Sequence, residues 1–292
     1  MAVTIKTKEE IGLIREGGKR LAGILNKVVE AARPGIATAE LDLLAEDLII
    51  KSGGNPSFKG YRIKGVDRGY PATMCISIND EVVHGIPRKD RILKEGDIVG
   101  LDIGMWWPFA GGAQASNTDA GYEANKMLYS QSSEGARSNI MPSLRPLCTD
   151  MAVTIGMGKI SKEARGLIDA TRESLEIGIA EVRPGATIGD IGNAIERFLK
   201  KYKLGIVRDL AGHGVGYELH EEPLIPNYGK AGKGMELKEG MVIAIEPMAT
   251  LGDWRVILSE DQWTFKTIDK SLGAHFEHTM AVTKDGVEVL TR

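Results

Sequence analysis

Two stretches decide the reading of this 292-residue chain: Leu93-Lys-Glu-Gly96-Asp-Ile-Val-Gly-Leu-Asp102 and Leu237-Lys-Glu-Gly240-Met-Val-Ile-Ala-Ile-Glu246. Both open with the same four residues, continue as an apolar strand and end on a carboxylate; 144 positions separate Asp102 from Glu246. A second pair precedes them in the same order. Glu30-Ala-Ala-Arg33-Pro34-Gly35 leads into a helix through Thr38-Ala-Glu-Leu41, and Glu181-Val-Arg183-Pro184-Gly185 leads into another through Thr187-Ile-Gly-Asp190-Ile191, with the Arg-Pro-Gly triplets 150 positions apart. Two similar blocks in one order at nearly one offset mark an internal duplication of an α/β half. Copies related by a pseudo-two-fold axis bring equivalent strand ends together, so the matching carboxylates are expected to face a shared cleft.

Working outward, Ile11, Ile14, Leu21, Ile24, Leu25 and Val28 recur at three- and four-residue steps, which predicts a helix from Lys8 to Ala32. Thr7 and Glu10 have the spacing of a capping box at its start. A second helix is expected from Thr38 to Gly53 or Gly54, since glycine favours the left-handed stop. The β-branched runs Cys75–Ile78, Ile98–Ile103 and Val242–Ile245 predict strands. Between Pro108 and Pro146, Gly, Ser, Ala, Asn and Gln dominate and β-branched residues are scarce; roughly 105–146 therefore reads as an inserted loop or loosely ordered hairpin extension, with Met127-Leu128-Tyr129 as a short packed element.

Composition narrows the class. Hydrophobic residues at 42% and charged residues at 26% are those of a globular chain and exclude wholesale disorder. A net charge of −3 gives no basic excess for nucleic acid or an anionic membrane. Two cysteines, Cys75 and Cys148, cannot form a disulfide framework and point to a reducing compartment. The N-terminal segment is too charged for a signal peptide, and the longest uncharged run, Ile103 to Thr118, is broken by proline and glycine. The expectation is a cytoplasmic chain with no membrane span.

All five histidines fall in three places: His84, His213 with His220, and His275 with His278. Glycines flank His213, and a backbone without Cβ atoms there is expected to come close to a ligand and leave the imidazole unshielded. Asp102, Glu246 and Glu277 each sit on or beside an apolar strand, where a carboxylate is costly unless paired, hydrogen-bonded or metal-bound. Three such groups with an imidazole favour a hard or borderline divalent ion. Four or more acidic donors around one ion would be over-charged, and two ions are then the natural stoichiometry.

Read in order, Cys75-Ile-Ser-Ile-Asn79-Asp-Glu-Val-Val-His84-Gly-Ile-Pro87, Gly96-Asp-Ile-Val-Gly-Leu-Asp102, Gly212-His213-Gly-Val-Gly216 with His220-Glu-Glu-Pro223, Ile245-Glu246-Pro-Met248, and Trp263-Thr-Phe-Lys-Thr through Glu277-His278-Thr279 resemble the type I methionine aminopeptidases. The resemblance spans the chain apart from roughly 105–146. It implies the α+β pita-bread fold, with two pseudo-symmetric α/β halves (about 1–158 and 159–292) and an antiparallel sheet covered by helices, in a single catalytic domain. It further implies removal of the initiator methionine from nascent polypeptides by dinuclear metal-assisted hydrolysis. Asp102, Asp150, His213, Glu246 and Glu277 would hold two divalent ions (Co, Mn, Fe or Zn). Asp150 and Glu277 would be shared, Asp102 would serve one ion, and His213 with Glu246 the other. Glu246 would be the general base, His220 would steady the scissile carbonyl, and His84 would contact substrate near its amine. Cys75 and Trp263 would line the methionine pocket. The implied partners are nascent N-termini, with ribosome association, no membrane and no nucleic-acid specificity, and the expected state is a monomer.

The chain departs from the family pattern at one place. The family's two aspartates lie about ten residues apart across a hairpin, whereas 48 positions separate Asp102 from Asp150. Asp150 is assigned because Asp150-Met-Ala-Val-Thr-Ile-Gly-Met-Gly158 resembles the family's strand and exits toward a helix near Ser161; Asp119 is the competitor. Two alternatives to the function stand beside it: a prolidase- or aminopeptidase P-like peptidase, and a non-catalytic binding module of the same fold.

Overall fold

The computed structural model describes residues 3–63, 65–109 and 145–292. Asp119, Met127-Leu128-Tyr129 and most of the expected insertion lie outside the described residues. In the first half α1 (Lys8–Ala31) and α2 (Thr38–Lys51) are followed by β1 (Asn55–Pro56), β2 (Met74–Ile78), β3 (Glu81–Val83), β4 (Ile98–Trp107) and β5 (Leu147–Gly156). In the second half α3 (Lys162–Ala180) and α4 (Ile188–Lys201) precede β6 (Gly205–Ile206), β7 (Ala211–Gly214), β8 (Glu221–Pro226), β9 (Val242–Ile245) and β10 (Met248–Thr250). The chain closes with β11 (Val256–Leu258), β12 (Phe265–Thr267), β13 (Gly273–His275), β14 (Glu277–Thr283) and β15 (Gly286–Val289). One antiparallel sheet runs β1-β4-β5-β14-β9-β7-β8, with β2 on β4 and β15 on β14.

The helices start where local chemistry dictates. Thr7 accepts from Glu10 N–H while the Glu10 carboxylate accepts from Thr7 N–H at 2.8 Å, which satisfies two donors that the first turn of α1 leaves free. Thr187 and Asp190 do the same for α4, and the Ser161 hydroxyl caps α3. α2 ends before Gly53, whose φ of +79° is the left-handed stop expected there.

The duplication appears bond for bond. Gly35 donates to the Leu93 carbonyl and Leu93 to that of Ile36; Gly185 donates to Leu237 and Leu237 to Ala186. Gly96 donates to Met157 as Gly240 does to Val282. Each half has its own core. Leu21, Leu25, Leu41, Ile49, Val99, Leu101 and Ile103 pack the first, and Leu167, Ile191, Ile195, Leu199, Ile243, Ile245 and Met280 the second. Successive strand residues alternate faces. Sending Val99, Leu101, Ile103, Met151, Val153, Ile243, Ile245, Met280 and Val282 toward the helices therefore sends Asp102, Asp150, Ala244, Glu277 and Thr279 to the opposite face.

β4 continues to Trp107 and β5 resumes at Leu147, so residues 105–107 are strand. Three further rungs, Met105↔Thr149, Trp106↔Cys148 and Trp107↔Leu147, lie beyond Gly104↔Asp150. The ladder is thus unbroken past both aspartates. Asp102 accordingly sits mid-strand, not at a strand end as its sequence implied. The residues that Asp102 needs as neighbours are fixed by this register, whatever the inserted segment does.

The segment before α1 is tied to the second half. Lys6 Nζ lies 2.6 Å from Glu221 Oε2 with both side chains buried, and Glu221 Oε1 accepts from Tyr217 N–H at 2.5 Å and Glu218 N–H at 3.0 Å. Burial pushes the Lys6 ammonium below its ordinary pKa, while its bond to Glu221 works against that. Removing one member of a buried pair strands the other charge. Lys6→Met is therefore expected to lower stability by about 3–5 kcal/mol, read as a fall in the urea midpoint.

Candidate metal centre

The register carries four strands of side chains into one row. Cys75 pairs with Asp102, Asp102 with Ala152, and Ala152 with Glu277, across β2, β4, β5 and β14. Asp150 stands two residues before Ala152 on the same face, and Glu246 follows Ile245, which pairs with His278. His213 enters from β7 opposite Ala244. His213 Nε2 lies 4.0 Å from Asp150 Oδ2, 3.7 Å from Glu246 Oε1 and 3.9 Å from Glu277 Oε1. Donor atoms of Asp150, His213 and Glu277 all fall within 4.8 Å of one another. All five sequence-expected donors line a single cleft with Phe58, Tyr61, Ile63, Tyr70, Cys75, Val83, His84, Leu219, His220, Trp263 and His275.

The glycines beside His213 do a different job from the one expected of them. A Cβ on Gly212 would stand 2.4 Å from the Ala244 carbonyl oxygen and one on Gly214 2.3 Å from that of Glu222. They let β7 squeeze between β9 and β8 at an irregular step in the ladder. His213 itself is buried rather than unshielded. Its Nδ1 lies 2.9 Å from the Gly214 carbonyl, so Nδ1 carries the proton and the Nε2 lone pair is left for the carboxylate cluster.

The electrostatics call for a cation. Asp102, Asp150 and Glu277 are buried, and among the described residues no Lys or Arg forms an ion pair with them. Asp102 Oδ1, Asp150 Oδ1 and Glu277 Oε1 have no hydrogen-bond partner. Burial, opposed by His275 and aided by Glu246, lifts the Asp102 carboxyl to about 7. Burial and the neighbouring carboxylates lift Asp150 and Glu277 well above their usual range. Orphaned carboxylate oxygens facing an imidazole lone pair, with no basic side chain between them, are the donor set of a hard or borderline divalent ion. The residues fit the group.

Burial keeps two imidazoles beside this cluster, those of His84 and His220, neutral. Burial, with Glu246 and His275 as opposing lesser influences, holds His84 at about 4; its Nδ1 is unpartnered, and its backbone adopts φ +59°. His220 meets solvent at one edge, yet the surrounding protein and the nearby His213 and His84 keep it well below its ordinary pKa. Its Nδ1 is 2.7 Å from the Tyr61 hydroxyl; with Tyr61 donating, Nε2–H is the free donor. Cys75 is buried and its thiol is pushed well up by burial and by Asp102, so it acts as apolar wall, not nucleophile. Trp263 packs edge-on to Tyr70 at 5.2 Å.

Sequence reasoning missed Tyr61, Phe58, Tyr70, Ile63 and the role of His275, whose Nε2 stands 3.3 Å from Glu246 Oε2. The aromatic residues carry no motif of their own. His275 had a signal in its proximity to Glu277.

The fold and this donor set define a metallopeptidase. The sequence profile of metallopeptidase family M24 matches residues 12–113 and 140–284, either side of the insertion, and the chain belongs to that family. Within it the chain is similar to methionine aminopeptidases: 40% identical to that of Clostridium acetobutylicum, over 99% of this chain and 98% of the relative, and 39% identical to methionine aminopeptidase 1 of Bacillus subtilis, over 99% of each. The crystal structure of the methionine aminopeptidase of Thermotoga maritima superposes with a TM-score of 0.82 at 37% identity, covering both chains completely. The prolidase of Pyrococcus horikoshii shares the fold at a TM-score of 0.67 and 21% identity, and the chain covers 63% of it. The fold is therefore the pita-bread α+β architecture, and the chain is a hydrolase with divalent metal cofactors. None of its described helices is long and apolar enough to cross a membrane.

Proposed function

We infer that the chain removes the N-terminal methionine of newly made polypeptides. The observation that carries this is the convergence of carboxylates and one imidazole from both halves on a cleft walled by Phe58, Tyr70, Cys75 and Trp263. Asp102, Asp150, His213, Glu246 and Glu277 would hold two divalent ions. Such ions supply charge for a scissile carbonyl and its amine and acidify the attacking water. The chain's own groups do the rest. Glu246 is the most solvent-accessible of the clustered carboxylates that pair with His213, with 13% of its side chain exposed against 5% for Asp150 and 3% for Glu277, which suits it to take the proton from water. Neutral His220, oriented by Tyr61, donates from Nε2 to the oxygen on which charge develops. Neutral His84 stands by the substrate amine, and the thiol of Cys75 and the Trp263 ring accept the methionine side chain.

We place the activity in the cytoplasm, at nascent N-termini near the ribosome, with the whole chain as a monomeric catalytic unit; co-sedimentation with ribosomes and light scattering test these points. The deciding experiment strips metal with a chelator and adds Mn, Fe, Co or Zn in turn, with Met-Ala-Ser and Gly-Pro as substrates. Metal-dependent release of methionine from Met-Ala-Ser, with Gly-Pro intact, is expected. Cleavage of Gly-Pro alone would point to the prolidase-like reading, and binding without turnover to the non-catalytic module.

A further inference from the structure

Thr279 lies beside the cluster, fully buried, and no part of the proposed chemistry uses it. β14 pairs with β5 through Glu277↔Ala152 and His278↔Met151, and the backbone pairing stops there. The Thr279 carbonyl is taken by Leu290 N–H at 2.9 Å. The N–H and C=O of Asp150 point toward β14 without a backbone partner on that strand. The Thr279 hydroxyl supplies both: it accepts from Asp150 N–H at 3.0 Å and donates to the Asp150 carbonyl at 2.8 Å. Thr279 is held in turn. Its N–H donates to the Thr291 hydroxyl at 3.1 Å, and that oxygen also lies 2.9 Å from His278 Nδ1. Thr279 further pairs with Ala244, the residue opposite His213.

Resting on the metal-centre reading, we propose that Thr279 is a positioning residue that fixes the Asp150 carboxylate by clamping its peptide groups through one hydroxyl. A carboxylate shared between two ions tolerates little displacement, and loss of such supporting bonds costs ten- to hundredfold in metal affinity. A methyl in place of the hydroxyl leaves a buried N–H and C=O unpaired, while serine keeps both bonds.

The test titrates the metal-free full-length chain with Co(II) alone, followed by visible absorption, for wild type, T279V and T279S. The weaker of the two binding steps is expected to loosen ten- to hundredfold in T279V and to stay within about threefold of wild type in T279S. On Met-Ala-Ser, kcat falls in T279V with KM nearly unchanged, and serine restores it. Cobalt bound by T279V as tightly as by wild type would overturn the proposal, as would a T279S defect equal to that of T279V. Should circular dichroism show T279V unfolded, T279A takes its place with the same expected loss, and retained affinity overturns the clamp. A wild-type chain that binds no cobalt would overturn the metal reading itself, and the clamp with it.

Discussion

Glu246→Gln is expected to leave a folded chain that turns over Met-Ala-Ser about 10²–10⁴-fold more slowly, with the loss in kcat. Glutamine keeps the shape and one oxygen, so the contact of the backbone carbonyl with Asn227 Nδ2 at 2.9 Å, which anchors this corner after β9, survives. What disappears is a base between two imidazoles, 3.7 Å from His213 Nε2 and 3.3 Å from His275 Nε2. A neutral amide cannot accept the proton from water. Peptide binding, measured by calorimetry with Met-Ala-Ser, should persist. Turnover within threefold of wild type would remove Glu246 from the proposed role.

Removing the metals is expected to reshape the pH dependence of stability. In the metal-free chain Asp102 titrates at about 7, raised by burial from an ordinary value of 3.8, and burial with the neighbouring carboxylates holds Asp150 and Glu277 well above their usual range. A carboxyl that holds its proton more tightly when folded stabilises the fold fully below its unfolded pKa, and that contribution is lost as pH rises through the folded pKa. The metal-free chain should therefore lose stability from about pH 4 to 7 through Asp102, at up to roughly 1.4 kcal/mol per pH unit, with losses of the same sign from Asp150 and Glu277. Bound divalent ions replace those protons. The gain in melting temperature on adding Mn(II) should then be large at pH 8 and small at pH 5. Thermal unfolding at the two pH values checks it, and a gain that is equal at both would contradict the unpaired, buried state of these carboxylates.

Much of this was legible in the chain. The period of α1, the capping box at Thr7 and the stop at Gly53 are written in residues at most a few positions apart, and they fold as read. The duplicated segments ending in Asp102 and Glu246 announced two copies of one half, with their matching carboxylates on a shared cleft. The glycines around His213 were read in the wrong physical sense. A glycine looks the same in sequence whether it admits a ligand or a neighbouring strand, and only the carbonyls of Ala244 and Glu222 distinguish the two. Nor could the sequence alone show that β4 runs on through Trp106 and Trp107, because their partners lie some forty positions away.

By itself the sequence determined the donor chemistry of this protein, the doubling of its architecture and the starts of its helices. Each of these depends on residue type or on spacing along the chain. Only the tertiary structure decided that Asp150 stands diagonally from Asp102 and beside His213, that Tyr61 aims His220, and that Thr279 holds the Asp150 backbone. Those relations join residues 48 to 159 positions apart, and the register that creates them is chosen by how two cores pack against one sheet.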